Sequence, residues 1–223
     1  MHILWRTERW LVVDKPSGLA VHRSDDPRDG DQTWVVQQAR DLVGQYVWPV
    51  HRLDRGTSGA LLLCFDPVDL AAGQQALKDG RKRYLAVVRG FVPTREAVDV
   101  DSLLLDGDRR LTAHTRVTPL ATCAEPRCTL VCAEPTTGRF HQIRRHVRDL
   151  SHPVLGDGSH GDSRVNGWWR EHRGLNRLAL HCWQLDLPLP DGTLELTAPV
   201  PADLRTPFDG LGLWDAIDDR PIG

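Results

Sequence analysis

The 223-residue chain predicts an α+β fold in a single domain, with a mixed, largely antiparallel sheet flanked by helices. Eight short runs are rich in β-forming residues, only three segments carry helical spacing, and the two kinds do not alternate along the chain. Strict alternation is what a doubly wound sheet requires, so that architecture is disfavoured.

The elements follow in order. Trp10 to Asp14 is an apolar run ending at Lys15-Pro16-Ser17-Gly18, a strand and then a turn. Asp31 to Leu42 places Val35, Val36, Ala39 and Leu42 on one face, with Val43 following, and predicts a helix. Ala60 to Phe65 is a buried strand by its unbroken apolar character. Asp66-Pro67 is an N-cap with proline at the first helical position, and that helix runs to about Asp79, with Gly80 as its stop. Tyr84 to Val88, Val98 to Leu105, Leu111 to Val117 and Cys128 to Glu134 read as strands. Gly138 opens a helix over Arg139 to Leu150, on the spacing of Ile143, Val147 and Leu150. Leu178 to Leu187 and Thr193 to Ala198 are the final strands.

The longest apolar stretch, Ala60 to Phe65, is far too short to span a membrane, and the first residues carry no signal-peptide pattern. The expectation is a cytoplasmic protein with no membrane partner. Five cysteines at irregular spacing, with no C-x-x-C pair, argue for reduced structural thiols rather than disulfides or zinc. The net charge of −2 hides a strong asymmetry. Arg139 to Arg177 holds eight Arg against four acids, whereas Asp186 to Gly223 holds eight acids against two Arg. With the Arg81-Lys82-Arg83 cluster, the basic segments suit a phosphate-binding face. No G-x-G-x-x-G or G-x-x-x-x-G-K-[ST] loop is present, so neither a dinucleotide nor ATP is expected.

The most informative string is His51-Arg52-Leu53-Asp54-Arg55-Gly56-Thr57-Ser58-Gly59, in which one carboxylate sits among arginines ahead of a buried strand. A nearby positive charge keeps such a carboxylate ionised. Lys82-Arg83-Tyr84 and Gly138-Arg139-Phe140-His141-Gln142-Ile143-Arg144-Arg145-His146 follow it. Together with Asp14-Lys15-Pro16-Ser17-Gly18, these segments resemble the RluA-type pseudouridine synthases, matching H-R-L-D-x-x-T-S-G, K-x-Y, G-R-x-H-Q-[IL]-R and K-P-x-G in the family's order. The resemblance covers roughly Leu11 to His181. It implies the pseudouridine synthase fold and an isomerase that converts uridine to pseudouridine within RNA.

That reaction breaks the C1′–N1 bond, turns the uracil and joins C5 to C1′. No atom is gained or lost, so no redox cofactor, energy source or metal is expected. The resemblance assigns Asp54 as nucleophile at C1′ or base at C2′, and leaves the two open. It assigns Arg144 as the arginine that pairs with this acid, and Tyr84 as the ring at the base. Arg52 would fill the space left by the flipped uridine. Phosphate contacts are expected from Arg81, Lys82, Arg139, Arg145 and Arg148.

Finer features resemble the branch that modifies tRNA position 65 (TruC-type): Val21-His22-Arg23-Ser24, Arg144-Arg145-His146, His152-Pro153, Gly156-Asp157, His160-Gly161-Asp162, Arg177-Leu178 and Leu180-His181. The expected partner is therefore RNA, tRNA before ribosomal RNA, bound by a monomer. Residues 1–223 are expected to form the catalytic domain, without the N-terminal RNA-binding module of several ribosomal-RNA relatives. The chain departs from the pattern at Phe140, in the short acidic segment around Asp106 and Asp108, and in the acidic tail around Asp215 to Asp219.

Two other classes compete. His141, His146, His152 and His160 lie close in sequence and could suggest a metal hydrolase. However, five residues turn a helix by about 500°, which would leave His141 and His146 about 140° apart, and no H-E-x-x-H pattern occurs. A non-catalytic RNA-binding protein would not need Asp54, Tyr84 and Arg144 together. The Trp168-Trp169 pair reads as core packing, with base stacking as the alternative for an exposed ring.

Overall fold

The computed structural model describes residues 1–22, 33–92 and 96–217. Arg23 and Ser24 of the early motif, the Asp31 start of the first helix, and the tail acids Asp218 and Asp219 lie outside the described residues. The strands are β1 (His2–Arg6), β2 (Trp10–Lys15), β3 (Trp48–Pro49), β4 (Ser58–Cys64), β5 (Arg81–Arg89), β6 (Val98–Asp106), β7 (Arg109–Cys123), β8 (Cys128–Pro135), β9 (Leu180–Leu189) and β10 (Gly192–Thr197). The helices are α1 (Val35–Val43), α2 (Leu70–Asp79), α3 (Gln142–Asp149), α4 (Ser163–Arg173) and the single turn α5 (Ala202–Arg205). The α+β class expected from the sequence is the one observed.

The chain forms two compact units. The first comprises residues 1–81 and 182–199 within the described range, with strand order β1-β2-β4-β9, β3 on β4 and β10 on β9. β2 and β4 pair antiparallel, with Lys15 opposite Gly59 and Asp14 opposite Ala60. Every residue of β4 is buried, as its apolar sequence requires. Trp10 is fully buried and satisfies its indole N–H on Asp191 Oδ1 at 2.7 Å. The α2 helix lies against this ring. A Cβ on Gly73 would stand 2.8 Å from Trp10 and 2.7 Å from Val50, so close packing explains a glycine inside the helix.

The second unit comprises residues 82–181 and 200–217 within the described range. Its strands form an antiparallel sheet in the order β5-β8-β7-β6, with Tyr84 opposite Ala133. α3 packs on β6, β7 and β8 through Ile143, His146 and Val147. In α4, Trp169 is buried against Phe208, with ring centroids 5.0 Å apart.

Three sequence expectations change. The helix expected from Arg139 begins at Gln142, because His141 adopts φ 54°, a left-handed conformation incompatible with the helix. Asp66 does cap a turn, accepting a hydrogen bond from Val68 N, but that turn is a 3₁₀ segment (Pro67–Asp69) before α2, which ends at Asp79 with Gly80 as its stop, as expected. The sequence predicts none of β1, β3, α4 and α5. The α4 signal was present in Asp162, whose carboxylate accepts from Arg164 N and Val165 N as an N-cap.

All five cysteines are free. Burial pushes the Cys64 thiol up to about 11 and those of Cys128 and Cys132 to about 12, which leaves them unreactive at neutral pH.

Candidate active site

In the first unit, the loop bearing Asp54 is clamped from three sides. Lys15 ends β2 and is fully buried. Its ammonium donates to the carbonyls of Thr57 at 2.7 Å, Pro16 at 2.9 Å and Arg55 at 3.2 Å. Ser17 Oγ donates to the Gly56 carbonyl at 2.8 Å. Gly18 N donates to Arg55 O, and Arg55 Nε returns a bond to Gly18 O. Thr57 N closes the turn on Asp54 O at 3.0 Å. On the other side, Leu62 N donates to His51 Nε2 at 3.0 Å, fixing the start of the motif on β4.

A buried ammonium is costly unless it is fully hydrogen-bonded, and here backbone carbonyls of the motif loop supply the bonds. The K-P-x-G turn and the H-R-L-D loop thus act as one rigid piece. Gly59 completes it at φ 108°, where a Cβ would meet Cys182 O at 2.2 Å. Asp54 is half-buried on this loop, Arg52 is exposed beside it, and Arg81 is exposed at the start of β5.

In the second unit, Tyr84 is buried on β5 with the half-buried Lys82 two residues before it. α3 carries Arg144, Arg145 and Arg148. Arg144 is buried and donates from Nε and Nη2 to the two oxygens of Asp157, each at 2.7 Å. Asp157 is itself anchored, since its Oδ1 accepts from Ser159 N at 2.9 Å and His160 N at 3.0 Å. Its carbonyl accepts from Asn166 Nδ2, whose Oδ1 takes the Gly156 N–H. Burial alone would raise the Asp157 carboxyl. The Arg144 fork and the His160 and Ser159 amides more than offset that and hold it below the usual carboxylate range.

Gln142 fixes the loop ahead of α3. Its Oε1 accepts from Arg139 N and Thr137 Oγ1, and its Nε2 donates to His114 O and Thr115 Oγ1. His141 Nδ1 lies 3.0 Å from His160 Nε2, and Phe140 stacks on the His141 ring with centroids 3.7 Å apart. Burial depresses the His160 imidazole and favours its neutral form.

The basic residues expected at phosphates divide into several environments. Arg139 Nε donates to Thr112 O, Arg145 Nη1 donates to Leu105 O at 2.8 Å, and Arg148 pairs with the adjacent Asp149 at 2.5 Å. Arg148 is the most exposed of the three. The structural roles of Lys15, Gln142 and Asp157 were not anticipated, although all three lie within segments already singled out.

The two units thus present a preorganised carboxylate loop and a buried, anchored arginine on a helix, each on a β-sheet scaffold. The same fold is found in two solved human proteins, RNA Pseudouridylate Synthase Domain Containing 1 and 4. The first matches with a TM-score of 0.72 at 24% identity, covering 91% of this chain and 85% of that one. The second matches with a TM-score of 0.71 at 24% identity, covering 92% and 91%. The fold is that of a pseudouridylate synthase.

The sequence carries the assignment further. The family model described as RNA pseudouridylate synthase matches residues 9–149, and the chain belongs to that family. Three similar relatives are each named tRNA pseudouridine synthase C. The Pasteurella multocida protein is 36% identical, with 88% of this chain and 89% of the relative covered. The Yersinia pestis protein is 37% identical, over 89% and 86%. The Salmonella typhimurium protein is 39% identical, over 85% and 81%. The protein is therefore an RNA pseudouridine synthase, an isomerase. Among the described residues no helix is long and apolar enough to cross a membrane.

Proposed function

We propose that the enzyme converts a specific uridine of tRNA, of the position-65 type, to pseudouridine, with Asp54 as the reacting carboxylate. The observation that carries this reading is the Asp54 loop, immobilised by hydrogen bonds from Lys15, Ser17 and Gly18. A carboxylate that must meet C1′ or C2′ of a ribose needs such preorganisation, since small displacements are costly in rate. The tRNA assignment draws support from the relatives named tRNA pseudouridine synthase C.

Asp54 acts at the sugar, as nucleophile or base. Tyr84 offers a flat face to the uracil and a hydroxyl for proton transfer at C5. Arg144 cannot deprotonate, so it supplies a permanent positive charge that keeps a carboxylate ionised as water leaves. Arg52 occupies the space vacated when the uridine leaves its stack, at a cost of about a few kcal/mol. Arg81, Lys82, Arg139, Arg145 and Arg148 take phosphates. No cofactor or metal enters this scheme, because the reaction only rearranges existing bonds. We also assign a cytoplasmic monomer, which gel filtration and cell fractionation check.

Pseudouridine mapping of total RNA from cells with and without the gene tests the substrate. Loss of one tRNA pseudouridine is expected. Loss confined to ribosomal RNA would redirect the assignment within the family.

A further inference from the structure

The exposed ring of Trp168 has no part in the scheme above. It stands 41% exposed on α4 while its neighbour Trp169 is buried. Its plane is held from two directions. His172 stacks on it at 4.8 Å and 11°, with His172 Nδ1 3.0 Å from Trp168 O, and Trp169 meets it edge-on at 5.5 Å. Trp168 forms one wall of a cleft of about 510 Å³, and the turn between β7 and β8 (Ala124, Glu125, Pro126 and Arg127) forms the rest. Arg127 also lies over the exposed Phe91 ring, its Cζ 5.6 Å from the centroid. The exposed Arg164 and Arg170 on α4 add positive charge to the helix bearing Trp168.

We propose that this cleft binds one unpaired guanosine of the RNA substrate, away from the reacting uridine. Three of the lining groups match parts of that ligand. A fixed, exposed indole is a stacking platform for any base. Arg127 suits the phosphate that accompanies an unstacked nucleotide. Glu125 is an acceptor, so it selects a base edge offering donors, and guanine presents two adjacent ones at N1 and N2. An apolar partner is disfavoured, because a carboxylate and a guanidinium both line the wall. This inference rests on the RNA-modifying function proposed above and extends it to substrate selection.

The test compares binding of two labelled nonamers, cytidine with one central guanosine and cytidine with central inosine, to wild type, Trp168→Ala, Trp168→Phe and Glu125→Gln. Trp168→Ala should weaken binding of the guanosine nonamer by about fivefold or more, the range of one lost base stack. Trp168→Phe should retain most of the affinity, and Glu125→Gln should abolish the guanosine-over-inosine preference. Wild-type affinity in Trp168→Ala, equal losses in Trp168→Ala and Trp168→Phe, or no guanosine preference in wild type would each overturn the proposal. On full-length tRNA, Trp168→Ala should raise KM and leave kcat near wild type. Should wild type form no pseudouridine in any RNA, the catalytic reading fails instead, whatever the nonamers show.

Discussion

Arg144 and Asp157 form a buried two-pronged ion pair, Nε to Oδ2 and Nη2 to Oδ1, both at 2.7 Å. Thirteen residues separate them in sequence, and the aspartate is anchored in turn by the amides of Ser159 and His160. The pair fixes both the position and the charge of the one arginine on α3 to which the family motif gives a catalytic part. Asp157→Ala would remove the two-pronged carboxylate from a buried guanidinium, an effect of about 3–5 kcal/mol. The denaturation midpoint should drop accordingly, and kcat should fall in whatever protein remains folded. An unchanged midpoint would show that the pair contributes little.

Lys15 makes a separable prediction. Lys15→Met keeps the length of the side chain but leaves the carbonyls of Pro16, Arg55 and Thr57 without their shared donor. A loss of at least about 2 kcal/mol in stability is expected. Turnover should fall more than RNA affinity, because the loop carrying Asp54 loses its anchor. Equal falls in turnover and affinity would count against the positioning role.

Gly59→Ala tests the local geometry of the motif. The position has φ 108° and a would-be Cβ 2.2 Å from Cys182 O, a backbone atom that cannot swing away. The variant should be insoluble or lose several kcal/mol, on the order of the largest single-residue effects. A normally stable Gly59→Ala protein would mean that β4 and its neighbours relax easily.

Much of this was legible in the sequence. The Asp54 loop, Tyr84 and Arg144 stand out through their motifs, and most strands through runs of β-forming residues such as Val98 to Leu105. Lys15 was seen only as part of a turn, because its partners at 55 and 57 are brought near by the pairing of β2 with β4. The sequence alone gives Asp157 no role, since an acid in a glycine-rich loop carries no sign that an arginine thirteen residues earlier will reach it. The α4 helix escaped notice because Asn166 and Gly167 interrupt its apolar spacing and Trp168 points to solvent. The start of α3 was misplaced because the left-handed turn at His141 leaves no mark in residue periodicity.

Acid should weaken the fold in a defined order. Burial lowers the His146 imidazole, which sits fully buried with Nε2 2.8 Å from Ser102 Oγ and, among the described residues, no partner for Nδ1. A histidine depressed in the folded state takes up its proton more readily when unfolded. Its stabilising contribution is therefore complete above about pH 6.5 and lost as pH falls below that value. Asp157, also depressed, adds a second loss at lower pH, beginning near the ordinary carboxylate range. Denaturant midpoints measured from pH 8 to pH 4 should decline below pH 6.5, and His146→Gln should flatten the first part of that decline. A wild-type midpoint that rises on acidification would contradict this account.

The most direct test of the central claim is the yield of pseudouridine from tRNA incubated with Asp54→Ala, read beside its affinity for the same tRNA. Product should fall at least about a thousandfold, as when a reacting group is removed, while the dissociation constant stays within a few-fold of wild type. Undiminished pseudouridine from Asp54→Ala would contradict the assignment of that carboxylate to the chemistry.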